Sequence, residues 1–400
     1  MKRMTVLKMA AVAVLASMLP TGAATAAEAI KIGTVAPKTG PLAGATAITH
    51  WPNIQLWVSE VNGRGGLKMK DGSRRMIEMI EYDDRTNPGE TIKAVERLAT
   101  QDKADFVIAA FGTGLSLAAA PVFAKHGYPQ IAVSSITDKI PELTERYPGI
   151  FFTLGATNAL SGSVVEVLSK MRAEGKIGNK VAMVNVADAF GIELAEAARP
   201  GFKKAGFEIV YDKSYPLGTQ DLSPVVKGVK ASNPDAFVAW SYPPDTMALT
   251  ELAKIENLNV KAFYTGPGTA YPLYAQKFGK SIEGHLGSGG VNLDTPEMKA
   301  YRATHQKVTG KVPDYWASAP TYASLQVLEQ AIEAVGSTDR KAVTEYIKTG
   351  TFKTVMGTWK FKNQAIEQYW TVGQWQNGEF HGVASTGLPG AKPTIVKPGW

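Results

Sequence analysis

Short apolar runs alternate with helical patterns along most of the chain. IKIGTVAP precedes a helical pattern over Trp51–Val61, RMIEMIEYDD precedes Thr91–Thr100, and ADFVIAAF precedes Ser116–His126, with PQIAVSS after it. The rhythm resumes with NKVAMVNVAD and Glu193–Ala205, then PDAFVAWS and Thr246–Ile255, then VKAFYTGPG. Ile92, Val95 and Leu98 recur at helical spacing, with Lys93, Glu96 and Arg97 turned outward. Strands followed by helices predict parallel sheets covered on both faces, an α/β fold. No short repeat or low-complexity linker interrupts the pattern, so domains are expected to be joined by chain crossovers rather than a tether.

Ligands of open parallel sheets sit beyond the carboxyl ends of the strands, where loops lead into helices. Gly112-Thr113-Gly114 is such a loop, as are Ser134-Ser135-Ile136-Thr137, Asp188–Gly191, Ser241–Pro244 and Gly266–Gly268. A glycine turn before a helix presents unpaired N–H groups at its positive end, which suits a phosphate or a carboxylate. The plainer alternative is a tight turn with Thr113 or Ser116 capping the helix. Neither GxxxxGK[ST] nor GxGxxG is present at this turn, which argues against a nucleotide.

Catalysis has no visible machinery. There is no GxSxG, no cysteine, and the five histidines (His50, His126, His285, His305, His381) are scattered without metal-ligand spacing. Each histidine is expected at the surface or in a loop, and no metal or cofactor is expected. Asp83 and Asp84 are adjacent on an extended segment and point to opposite faces, so they form no acid/base pair. Aromatic residues cluster after Phe152: Phe190, Trp240, Tyr242, Tyr264 and Tyr271. Such walls suit a small, partly apolar ligand, and Phe190 and Tyr242 are the best placed, being in loops.

Residues 1–27 carry Lys2, Arg3 and Lys8, an apolar run from Met9 to Leu19 and small residues before Glu28, the pattern of a cleaved secretory signal peptide. A periplasmic protein is expected. Residues 28–400 exceed the roughly 250–300 residues at which a single core stops growing, so two domains are expected. The net charge of +7 falls to +4 (7 − 3) beyond the signal segment, without a basic stripe for nucleic acid. The absence of cysteine excludes disulfides and a cysteine-linked lipid.

Six stretches, in order, are KIGTVAPKTGPLAG, EYDDRTNPGETIKAVERL, GTGLSLAAAPVFAKHGYPQIAVSS, VNVADAFGIELAEAARPGFKKAG, YPLGTQDLSPVVKGVKASNPDAFV and GQWQNGEF. On these the chain, from Lys31 to Trp375, resembles the periplasmic binding proteins of ABC transporters of the Leu/Ile/Val-binding type. The resemblance implies a two-lobed type I clamp, each lobe a parallel sheet flanked by helices, with three hinge crossovers near Phe152, His285 and Gly357. Lobe 1 would comprise 28–152 plus 286–357, and lobe 2 would comprise 153–285 plus 358–400.

It further implies a monomeric receptor that carries a small carboxylate ligand to an inner-membrane ABC permease and its ATPase subunit. Lobe 1 would hold the carboxylate through Thr113, Ser116, Ser134, Ser135 and Thr137; lobe 2 would contribute Phe190, in place of a family tyrosine, and Tyr242. Gly268 stands where amino-acid binders of the family place an acid for the ammonium group, and Ala45 stands near a missing tyrosine. Either Asp188 or Asp245 then supplies the charge for a branched-chain or other hydrophobic amino acid, or the ligand is an aromatic or aliphatic carboxylate or a short amide. A periplasmic sensor using the same clamp is the other alternative.

Overall fold

The computed structural model describes Met1, residues 28–291 and residues 293–400; apart from Met1, the expected signal peptide lies outside the described residues. The chain opens with β1 (Ile30–Val35), α1 (Ala43–Thr49), α2 (Trp51–Gly63), the short strands β2 (Leu67–Lys68) and β3 (Arg74–Arg75), β4 (Ile77–Tyr82) and α3 (Pro88–Thr100). It continues through β5 (Phe106–Ile108), α4 (Thr113–Lys125), β6 (Gln130–Ala132), α5 (Ile140–Arg146) and β7 (Ile150–Phe152). These form the first lobe, with parallel order β4-β1-β5 and a parallel pair β6-β7.

The chain then crosses into α6 (Thr157–Ala173), β8 (Lys180–Val186), α7 (Ala189–Lys204), β9 (Glu208–Tyr215), α8 (Ser223–Ala231), β10 (Ala236–Trp240), α9 (Pro243–Ile255) and β11 (Ala262–Thr265). A 3₁₀ turn at Pro267–Ala270 leads to α10 (Pro272–Phe278) and β12 (Leu286–Ser288). It returns to the first lobe through α11 (Pro296–Thr309), α12 (Ser318–Val335), α13 (Arg340–Thr349), β13 (Phe352–Thr354) and β14 (Gly357–Trp359). It ends in the second lobe with β15 (Trp370–Gln376) and β16 (Glu379–Ser385).

Both lobes follow from the covered-sheet logic. β8, β10 and β11 are buried almost end to end, as strands covered on both faces must be, whereas β9 at the edge keeps polar, partly exposed positions. The second-lobe sheet runs β16-β15-β12-β11-β10-β8-β9, so it is mixed rather than wholly parallel. Its last two strands are antiparallel, because Asn377 and Gly378, with φ of 54° and 81°, make a two-residue turn that permits nothing else.

Two crossovers lie later than the expected points. Leu286–Ser288 pairs with β11 and β15, so the chain leaves this sheet after Ser288, not at His285. Ala365 still bridges to Phe152, so the last crossing follows that bridge and not Gly357. Two assignments of side chains also change. Along α3 the buried face is Thr91, Val95 and Leu98, and Ile92 is 38% exposed, because it lies about 100° around the helix from Thr91. His50, His285 and His305 are fully buried rather than at the surface. Burial lowers the pKa of His50 to about 3, while its Nε2 meets the Thr34 hydroxyl at 3.0 Å.

The first hinge is pinned to the last. Tyr369 accepts a hydrogen bond from Ala156 N (3.1 Å), and its ring lies so close to Gly155 that a Cβ there would sit 1.9 Å from Tyr369 Cζ. Gly155 also has φ of 85°. Gly155→Ala is therefore expected to destabilise the protein by about 1–3 kcal/mol. Gly162→Ala, in the exposed interior of α6 with nothing within 4 Å, is expected to gain about 0.5–1 kcal/mol. Urea unfolding midpoints check both, and equal shifts would contradict the hinge argument.

Candidate functional site

Three helices begin where parallel strands end: α4 after β5, α7 after β8 and α9 after β10. Their first turns meet across the lobe boundary around a cavity of about 90 Å³. Leu42, Thr86, Pro88, Phe111, Gly112, Gly114 and Leu115 line it from the first lobe, and Asp188, Leu217 and Tyr242 from the second. A larger cavity of about 510 Å³ lies elsewhere, between the second crossover and the β15–β16 hairpin, and contains none of the sequence-predicted site residues.

The first-lobe hydroxyls brace two loops against each other. Ser134 Oγ accepts from Gly112 N (2.9 Å) and Ser135 Oγ donates to Gly112 O (3.4 Å). Thr113 Oγ1 donates to Ile136 O and accepts from Ile136 N, both at 3.2 Å. Ser116 faces inward, where its Oγ and carbonyl accept from the Gln130 amide. These bonds hold Gly112 at φ 82° as the N-cap of α4, and no side chain caps that helix. The early N–H groups of α4, which have no intrahelical partner, thus begin at the cavity wall.

The neighbouring wall is braced similarly. Asp83 accepts from Lys38 N, Thr39 N, Thr39 Oγ1 and Arg85 N; these bonds outweigh its partial burial and hold its pKa at about 2. Asp84 points inward to Thr86 N and Thr91 Oγ1, and burial raises it to about 6.

On the second lobe, Phe190 and Tyr242 stack with centroids 4.9 Å apart and planes 27° from parallel. Tyr242 donates to Asp188 Oδ2 (2.8 Å), while Asp188 Oδ1 caps α7 by accepting from Gly191 N (3.0 Å). Burial, opposed by those hydrogen bonds, raises the Asp188 pKa. Asp245, one turn into α9, is 7% exposed and accepts from the Tyr215 hydroxyl (3.3 Å). Burial chiefly, aided by the Asp188 charge, raises it to about 6.

Of the expected site residues, Thr113, Ser134, Ser135 and Tyr242 come together around Gly112, and Phe190 stands behind Tyr242. Thr137 reaches across the lobes, donating to Glu193 Oε2 (2.7 Å), which also takes Asp138 N (3.3 Å); Lys139 Nζ lies 3.5 Å from Glu193 Oε1. Gly268 stands apart, under α9. A Cβ there would lie 2.7 Å from Thr246 Cβ and 2.8 Å from Pro243 Cα, so the position has no room for an acid. Trp240 and Tyr264 pack edge to face in the sheet, and Tyr271 bonds Thr49. Sequence reasoning missed Glu193, Leu42, Thr86 and Leu217; the turn residues beside them, Gly40, Arg85 and Gly218, have positive φ.

A profile of the family described as "Periplasmic binding protein" matches residues 29–379. The chain belongs to this family. Among curated relatives of this periplasmic binding protein is Leu/Ile/Val-binding protein homolog 7 of Brucella abortus, 26% identical over 92% of this chain and 94% of its own length. The Leu/Ile/Val-binding protein of Escherichia coli K12 is 27% identical over 84% of this chain and 88% of its own.

Solved structures share the type I fold. A branched-chain amino acid transporter substrate binding protein from Streptococcus pneumoniae, in complex with isoleucine, superposes with TM-score 0.75 at 22% identity, covering 92% of this chain and 100% of that one. A solute binding protein of an ABC transporter from R. palustris, in complex with benzoate, gives TM-score 0.78 at 19% identity, covering 92% and 99%.

In this periplasmic binding protein one apolar cluster runs unbroken from Val35 and Phe123 through Leu42, Phe111 and Leu115 to Phe190, Tyr242 and Leu194, so the lobes are closed on each other. Glu193 is one polar tie across that boundary, alongside the Thr49–Tyr271 hydroxyl pair at 2.9 Å. Glu193→Ala is expected to weaken closure by about 1.5–3 kcal/mol. The radius of gyration from small-angle scattering should rise with circular dichroism unchanged; an unaltered radius would show that Glu193 does not hold the lobes together.

Proposed function

We propose that this protein is the receptor subunit of an ABC importer. It captures one small hydrophobic carboxylate between its lobes in the periplasm and delivers it to an inner-membrane permease and ATPase. The observation that carries the reading is the α4 N-terminus, without a side-chain cap, opening onto the small cavity between the lobes. A carboxylate there satisfies N–H groups and meets the positive end of the helix dipole. Leu42, Leu115 and Leu217 then enclose the apolar remainder, with the Tyr242 ring beside them.

The two ligand classes bound by the structural neighbours, a branched amino acid and an aryl acid, are both small carboxylates with an apolar remainder. The Leu/Ile/Val-binding relatives favour the amino acid, and the stacked Phe190–Tyr242 wall is compatible with either. Transport needs no catalytic step from this chain. The closing lobes contact the ligand from both sides, so binding shifts the open–closed equilibrium, and the closed form is what a permease distinguishes.

Gly114 is helical and faces the cavity, a Cβ there lying 4.0 Å from Asp188 Oδ2. Gly114→Leu is expected to fill the cavity and weaken binding of L-leucine, L-isoleucine or benzoate at least about 100-fold, without lowering Tm, since leucine favours a helix more than glycine does. Isothermal titration of wild type and variant checks this. No binding of any of the three to wild type, or binding unchanged in Gly114→Leu, would overturn the reading.

A further inference from the structure

Thr86 lines the cavity between the lobes, and among the described residues it is the only polar side chain that the first lobe brings there. Its backbone is unusual. Thr86 has φ of 61° and follows Arg85 at 56°, so two successive non-glycine residues sit in the left-handed region. The other described non-glycine residues with positive φ are Asn, Gln, Lys and Arg, which leaves Thr86 as the only β-branched one among them. A branched Cβ in that region is a genuine outlier. Such outliers persist only where their surroundings over-determine them, and they gather at active sites and ligand clamps.

The surroundings of Thr86 do so. Asp83 accepts from Arg85 N (2.9 Å) and Asp84 from Thr86 N (3.0 Å), which pins both residues of the turn. Asp83 also takes Lys38 N and Thr39 N, so the same carboxylate holds the loop from Lys38 to Leu42. The Thr86 hydroxyl completes the bracket, accepting from Leu42 N (3.1 Å) and donating to Thr39 O (3.4 Å). Gly40 allows this close stacking of loop on turn, since a Cβ there would lie 2.6 Å from Arg85 O. A glycine at position 86 would take the same backbone without strain, but it would supply neither the hydroxyl nor the methyl.

The bracket ends at the cleft. Leu42 lines the cavity together with Thr86, and Leu217 lines it from the second lobe. Beside them Pro41 forms the rim: a Cβ on Gly218, in the loop between β9 and α8, would lie 3.1 Å from Pro41 Cγ. On the first-lobe side this end of the cavity therefore stands on backbone that is braced from several directions.

We propose that Thr86 is a specificity-determining residue of the cleft: it is a fixed stop that meets the apolar part of the ligand and holds Leu42 in place, so that carboxylates with a compact apolar part are taken and longer homologues are turned away. A wall that cannot yield converts each added methylene into overpacking, whereas a loose wall absorbs it. This inference rests on the receptor reading above and narrows its ligand class by length.

The test is a chain-length comparison by isothermal titration, L-leucine against L-2-aminooctanoate and benzoate against 4-phenylbutanoate. Wild type is expected to bind the shorter member of a pair at least about tenfold tighter. Thr86→Gly, which removes the stop and the bond to Leu42 N, should shrink that preference at least about fivefold. Arg85→Gly relaxes the same turn but removes an exposed side chain outside the cavity, and should leave the preference unchanged. A merely structural role would weaken both members of a pair alike. Should Thr86→Gly not fold, Thr86→Ser keeps the hydroxyl, trims the methyl from the wall, and should shrink the preference at least about twofold. A preference absent from wild type, unchanged in the Thr86 variant, or lost equally in Arg85→Gly would overturn the inference and leave the receptor reading standing. No binding of any of the four probes by wild type would overturn both.

Discussion

Asp188 is an acid set where no base attends it, and the second-lobe face of the cleft is arranged around that constraint. A buried carboxylate left to itself costs several kcal/mol, so it recruits what donors the fold can offer. The N-terminus of α7 gives N–H groups of Phe190 and Gly191, and the Tyr242 hydroxyl gives a further bond. Fixing that hydroxyl fixes the ring, which then stacks on Phe190 and approaches Gly112 of the other lobe; a Cβ on Gly112 would lie 3.5 Å from it. That hydrogen bond therefore ties the aromatic wall to the start of α7.

The first lobe answers the same problem in the opposite way. Its loops spend their hydroxyls on each other and on backbone, with Thr113 tied to Ile136 and Ser134 and Ser135 to Gly112, and they leave the helix end itself to face the cavity. The result is a cleft with a positive, uncharged end on one lobe and a negative, charged end on the other. Topology brings the helix N-termini α4, α7 and α9 to one edge, and the residue type at Asp188 sets the polarity between the lobes.

Much of this was legible before the structure. The alternation of apolar runs with helical spacing marked the covered strands, and the motifs marked the clamp. What escaped notice has physical reasons. Helix starts were placed several residues late at α3, α7 and α9, because Asn87, Asp188 and the prolines Pro88 and Pro243 look like loop yet serve as caps and first-turn residues. His50 and His285 were unreadable as core residues, since their burial depends on Thr34 and Tyr274, partners separated from them along the chain. The crossover after Ser288 was misplaced because a three-residue strand is too short to show a period. Glu193 gave no signal at all; a charge on an amphipathic helix looks solvated until the other lobe arrives.

The way the chain passes between its lobes has a consequence for how the molecule comes into being. The first lobe lacks α11 to α13 until two crossings have been made, and the second lacks β15 and β16, which finish its sheet, until the third. Neither half can seal its interior before the later crossings, because each needs segments that follow a return of the chain. Contacts this remote in sequence also form slowly. A polypeptide wired in this manner makes the completion of each half depend on the other.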